Sequence, residues 1–166
     1  MDVLLDQLTQ LLNQEAGLYE SMAAVIDKEK DAAIRTELSR LIETRKEKEN
    51  ILLKLRIMED QRTRIVAKMA DDLGYLPHDL TLTKISQLVD DPYAKRLKDC
   101  SAKLSFLIGR LQEANRNNRQ LFEHSLDLLR GSFNLLNDLM EANPVYHRTG
   151  NIQNSNSTGR LVYGEI

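Results

Sequence analysis

The chain has 166 residues, a length that suggests one domain, and its 7 Gly and 3 Pro permit long uninterrupted elements. Aromatics are 5% and Trp is absent, so a core of Leu, Ile and Met in an elongated bundle is expected rather than an aromatic-rich globule. With 23 basic residues against 25 acidic ones and a net charge of −2, nucleic acid is not expected as a partner, because duplex binding depends on neutralising many phosphates.

The single cysteine, Cys100, cannot form an internal disulfide, and nothing near it supplies metal ligands. The start, MDVLLDQLTQLLNQE, has no basic n-region and is interrupted early by acidic residues, so it does not read as a signal peptide. No apolar run approaches the roughly 20 residues of a membrane span. A cytoplasmic protein without membrane insertion is expected.

The first segment runs from about Asp2 to Asp27. Leu4, Leu8, Leu11, Glu15, Leu18, Met22 and Val25 alternate steps of four and three, and Leu5, Leu12, Tyr19 and Ile26 recur every seven residues beside them. Both sets fall on one side of a helix, and the stripe is broad enough for more than one neighbour, with Glu15 its polar break. The charged stretch Asp27 to Asp31 reads as a short connection with Asp31 as N-cap, which makes the next helix an antiparallel neighbour.

The second segment runs from about Ala32 to Asp72, with Ile34, Leu38, Leu41 and Ile42 at its start and Ile51, Leu55, Met58, Ile65 and Met69 later. Between them lie eight polar residues, Glu43 to Asn50, without Gly or Pro, so one long helix with a solvated middle is expected. It should stop at Gly74, with Pro77 beyond. Thr81 or Thr83 can cap a short connector helix carrying Leu82, Ile85, Leu88 and Val89. Asp91 as cap and Pro92 at the first helical position then open the third long helix.

That third helix is the most regular. Leu97, Ser101, Leu104, Ile108, Leu111, Asn115, Asn118, Phe122, Ser125, Leu129, Ser132, Leu136 and Leu139 hold the alternating spacing, with Cys100, Leu107, Ala114, Leu121, Leu128 and Leu135 in a parallel row. Sustained heptads of this kind mean a coiled-coil-like helix. Asn143-Pro144 ends it. The remaining stretch, rich in Asn, Ser, Thr and Gly, has no helical period, yet it carries apolar residues as a binding motif would. The expected architecture is all-α: an elongated antiparallel helical bundle or coiled coil of three long helices over residues 1–143, a short connector helix, and a flexible C-terminal tail, 144–166, as a binding segment.

Catalytic constellations are missing. The positions three before His78, His124 and His147 are Tyr75, Leu121 and Pro144, so the Glu-x-x-His pairs of a di-metal bundle do not occur. There is no phosphate-binding glycine loop and no nucleophile elbow. Neither enzyme activity, nor a metal, nor a cofactor is expected. Asn115 and Asn118 within the heptad seam read as a polar layer that fixes register, or as a seam that meets a partner. Glu43 to Asn50 with Arg62 and Arg64 reads as a solvated face, or as an electrostatic docking surface. Cys100 reads as a small buried hydrophobe. The third helix is longer than the first can cover, so some of Leu128, Leu129, Phe133, Leu135, Leu136, Leu139 and Met140 should lack an internal partner and mark an interaction site.

LLDQLTQLLNQEAGLYESM resembles the first helix of flagellar export chaperones of the FlgN type. SRLIETRKEKENILLKLRIMEDQRTRIVAKMADDLG resembles their second helix, and LTLTKI their threonine-containing connector. NRNNRQLFEHSLDLLRGSFNLL is similar to their third helix, and VYHRTG to a Tyr-to-Gly element near their C-terminus. The resemblance covers nearly the whole chain in order. It implies a cytoplasmic chaperone that keeps the hook–filament junction proteins FlgK and FlgL soluble before type III flagellar secretion, with export-apparatus components as further partners. Client contacts are expected at Leu128, Leu129, Phe133, Leu136, Leu139 and Met140, and in the tail at Val145, Tyr146, Leu161, Val162 and Tyr163. The alternative is a coiled-coil scaffold or adaptor that associates with itself as a homo-oligomer.

Overall fold

A computed structural model describes residues 1–141 of the chain. Among them, the long elements are α1 (Asp2–Ile34), α2 (Leu38–Leu73) and α4 (Tyr93–Glu141). A single 3₁₀ turn (Pro77–Asp79) and the short helix α3 (Leu82–Leu88) connect α2 to α4. No strand occurs among the described residues, and the all-α reading holds. The chain divides into two compact units, Met1–Phe122 and Glu123–Ile166. The tail expected over 144–166 lies outside the described residues.

Within the first unit, pairing across helices gives the directions. Lys28 meets Glu47 at 3.0 Å, Glu29 meets Lys48 at 2.9 Å, and Glu15 meets Arg62 at 3.2 Å, so numbers fall on α2 as they rise on α1, and the two are antiparallel. Against α4 the numbers rise together: Asp6 with Arg96, Asn13 with Cys100, Glu20 with Lys103, Ile26 with Asn118. α1 and α4 therefore run parallel: α2 returns the chain to the end where α1 starts, and the connector turns it there into α4.

The broad stripe of α1 is the reason three helices meet. Leu5, Leu8, Leu12 and Ala16 are buried with Met69 and Ala70 of α2, Leu80 and Ile85 of the connector, and Leu97, Cys100, Leu104 and Leu107 of α4. Farther along, Met22 and Ile26 pack with Leu111. Thr81 is the cap of α3, its hydroxyl accepting from the backbone N–H of Lys84, which decides between the two threonines.

Two boundaries differ from the sequence reading. The first helix does not end near Asp27; it continues to Ile34, and α2 begins at Leu38, so Asp31 is helical and caps nothing. The charged stretch is good helix material, and its charges are used, since Lys28 and Glu29 face Glu47 and Lys48 of the polar run on α2. The turn is a Schellman motif: Glu37 N–H donates to Ala32 O and Thr36 N–H to Ala33 O, with Thr36 in the left-handed region at φ 57°. A threonine there gives no signal of the kind glycine gives at the end of α2. There Gly74 is left-handed at φ 73°, and Tyr75 N–H reaches Ala70 O. Pro92 also differs, because it precedes α4 rather than opening it. The N–H groups of Tyr93 and Ala94 go to Asp90 O, and α4 starts at Tyr93.

The start of α2 is a further correction. Of the apolar residues read at the start of the second helix, Ile34 belongs to α1, and Ile34, Leu38 and Ile42 are exposed, while Leu41 is half-buried. The ion pairs to α1 lie farther along α2, at Glu47 and Lys48.

Candidate functional site

In the second unit, α4 reads LDLLRGSFNLLNDLM from Leu126 to Met140. At 3.6 residues per turn, Leu128, Leu129, Phe133, Leu135, Leu136, Leu139 and Met140 share one arc of the helix, and Asp127, Arg130, Asn134, Asn137 and Asp138 take the other. All seven apolar side chains on the arc are exposed, by 54 to 76%. Leu126, 47% exposed, sits at the edge.

Local hydrogen bonding keeps this arc apolar. Ser132 lies at its centre, but its hydroxyl donates to Leu128 O at 2.9 Å, so the one polar group on the face is occupied. On the opposite side Arg130 approaches Asp127 at 3.6 Å. Gly131 lies off the arc, and a Cβ there would meet open space. The chemistry available is apolar burial by a partner, with large flexible side chains at one-turn intervals.

Polar features of the first unit are structural. Asn118 is buried and donates to Ile26 O at 3.0 Å and to Glu29 Oε2 at 3.2 Å, while Asn115 is exposed. Asn118 thus forms the polar layer that ties α4 to α1. Glu15 is buried beside Arg62, which also binds Glu59; its Oε1 has no hydrogen-bond partner among the described residues. Burial pushes the Glu15 carboxyl above its usual range, more than the Arg62 guanidinium lowers it. Burial likewise raises the adjacent Tyr19, with the Glu15 charge adding to it. Cys100 is buried in the apolar row, its thiol raised by burial and aimed at Asn13 Oδ1 at 3.7 Å.

A cleft of about 350 Å³ runs beside α1 and α2, lined by Gln7, Gln10, Gln14, Gln61 and Arg64 with Leu11 and Ile65. Amides of this kind neither activate a nucleophile nor transfer a proton near neutral pH. Among the described residues, no group of three or more His, Cys, Asp or Glu could hold a metal ion. No described helix is long and apolar enough to cross a membrane.

Of the expected contact residues, Leu128, Leu129, Phe133, Leu136, Leu139 and Met140 fall together on the exposed arc. Val145, Tyr146, Leu161, Val162 and Tyr163 lie outside the described residues. Leu135 belongs to the same arc and was omitted from the expected contacts, although its place in the seven-residue row with Leu128 signals it.

The sequence matches the family model described as FlgN protein over residues 1–154. No curated protein matches it. No solved structure matches it either.

Proposed function

The chain belongs to the FlgN family of flagellar export chaperones, and from that membership we propose that it binds the hook–filament junction proteins FlgK and FlgL in the cytoplasm and keeps them soluble before secretion. It does so by binding rather than by catalysis. The bundle, residues 1–143, is the scaffold, and the tail, 144–166, is the segment that closes over the client.

The observation that supports this reading most directly is the exposed arc of α4 from Leu128 to Met140. An amphipathic terminal helix of a client can lay its apolar side against such a face, anchored at positions i, i+3, i+4 and i+7. Tail residues Val145, Tyr146, Leu161, Val162 and Tyr163 add apolar cover at the entropic cost of ordering them.

Calorimetric titration with the C-terminal segment of FlgK tests it. Saturable binding is expected, weakened by removal of 144–166 and abolished by Phe133→Asp with Leu136→Asp while far-UV circular dichroism is unchanged. Absence of binding by the intact chain sinks the client assignment. Loss of helicity in the double variant makes Phe133 and Leu136 core residues and overturns the placement of the site.

A further inference from the structure

The exposed half of α4 carries two apolar seams rather than one. Leu126, Leu129, Phe133, Leu136 and Met140 alternate steps of three and four. Ser125, Leu128, Ser132, Leu135 and Leu139 do the same one residue earlier. At about 100° per residue, the two seams run side by side and together span about half of the helix surface. Every leucine, phenylalanine and methionine in them is exposed, by 47 to 76%.

The same signature occurs in α1, where its consequence is visible. One seam there runs from Leu4 to Val25 through Leu8, Leu11, Glu15 and Met22. The other runs from Leu5 to Ile26 through Leu12 and Tyr19, again one residue apart. All of these residues are buried or half-buried, and two helices bury them. Glu15 of the first seam meets Arg62 of α2 at 3.2 Å. Ile26 of the second accepts, at its backbone O, from Asn118 of α4 at 3.0 Å. One neighbouring helix packs along one seam of this spacing, so a second seam displaced around the helix needs a second neighbour.

We propose that the exposed half of α4 seats two helices of one client chain at once, one on each seam, and so completes a three-helix bundle like the one around α1. This inference rests on the chaperone reading and names what the client supplies: a pair of amphipathic helices. A single helix laid midway would sit over Ser125 and Ser132 and leave Leu135 and Phe133 at its rims, about 160° apart around α4. Ser132 offers such a helix no polar anchor, because its hydroxyl donates to Leu128 O at 2.9 Å. The two seats differ in depth. One consists only of large side chains, whereas the other alternates serine with leucine along Ser125, Leu128, Ser132 and Leu135. The helix on the second seat approaches more closely and places large apolar side chains over the serines. Residues 144–166 are not the source of the second helix, since their apolar residues do not recur at helical spacing. Joining both helices in one chain makes the second seating intramolecular, which raises affinity without a new contact.

Cysteine alkylation tests the two seats. Cys100 is buried, so Leu135→Cys and Phe133→Cys each place one accessible thiol, on opposite edges of the arc. One equivalent of full-length FlgK, at a concentration that saturates binding, should slow alkylation of both thiols at least tenfold. The same should hold in the chain lacking 144–166. Protection of one edge only, with FlgK bound, leaves a single client helix and overturns the proposal. Protection of both edges only at two equivalents gives each seam to a separate client and overturns it too. If removal of 144–166 exposes one edge again, that seam belongs to the chain's own tail, and the proposal fails. FlgK that gives no binding heat with the unmodified chain sinks the client reading itself and this inference with it, so the two failures are told apart by whether binding occurs.

Discussion

α4 carries leucines at heptad spacing in both of its halves, and the halves have opposite fates. From Leu97 to Leu111 the leucines of the row are buried: Leu97, Leu104, Leu107 and Leu111 are at most 7% exposed, although Phe106 and Ile108 between them are exposed. From Leu126 to Met140 every large apolar side chain is exposed. Composition and period do not distinguish the two stretches. The broad stripe of α1 does, because Leu5, Leu8, Leu12 and Ile26 cover the first row. A heptad pattern states that a helix face needs a partner, and says nothing about whether the partner belongs to the same chain.

The largest test of this contrast is a matched pair of truncations. Leu97→Ala should cost about 2–5 kcal/mol in urea unfolding, through lost burial and the cavity left behind. Leu136→Ala should change stability by no more than about 0.5 kcal/mol, as for an exposed site. Equal costs would make the second half core and remove the contrast. Next in size, Asn118→Ala should cost about 1–2 kcal/mol, because it removes a buried amide that donates to both Ile26 O and Glu29. A neutral result in thermal melts would mean that apolar contacts alone hold α4 in register.

Gly131→Ala acts on the exposed half alone. Its Cβ meets open space, so the helix there should gain about 1 kcal/mol. The gain should appear as slower amide exchange around residue 131 and not in the global melt, since the two halves need not open together. The smallest effect is the pH dependence left by Glu15. The folded chain holds its proton to higher pH than the unfolded chain does. Stability should therefore fall as pH rises from 4.5 through the folded-state titration, and acid should relieve the penalty. Glu15→Gln lacks this dependence, so its melting temperature should gain on the parent with rising pH. Parallel curves would show that Arg62 fully offsets the burial of Glu15.

Much of the fold was legible in residue order. The α1 stripe, the stop at Gly74, the short connector helix and the apolar period of α4 all follow from spacing and from a residue that tolerates positive φ. The α1–α2 boundary was not, because Thr36 takes the left-handed position where Gly or Asn would have announced it. Nor was the pairing of the two polar runs, since like helix formers occupy both and only their antiparallel register sets Lys28 against Glu47. The exposed arc on α4 was legible as excess length over α1.

Sequence alone determined that this chain is helical, where most of its helices end, and which side of each is apolar, because these depend on local dihedral preference and on a period of 3.6. Which apolar sides are buried, that α4 runs parallel to α1, and that Glu15 finds Arg62 and Asn118 finds Ile26 were decided only by tertiary structure. Burial is a property of pairs of surfaces, and no single stretch of residues carries the position of its partner.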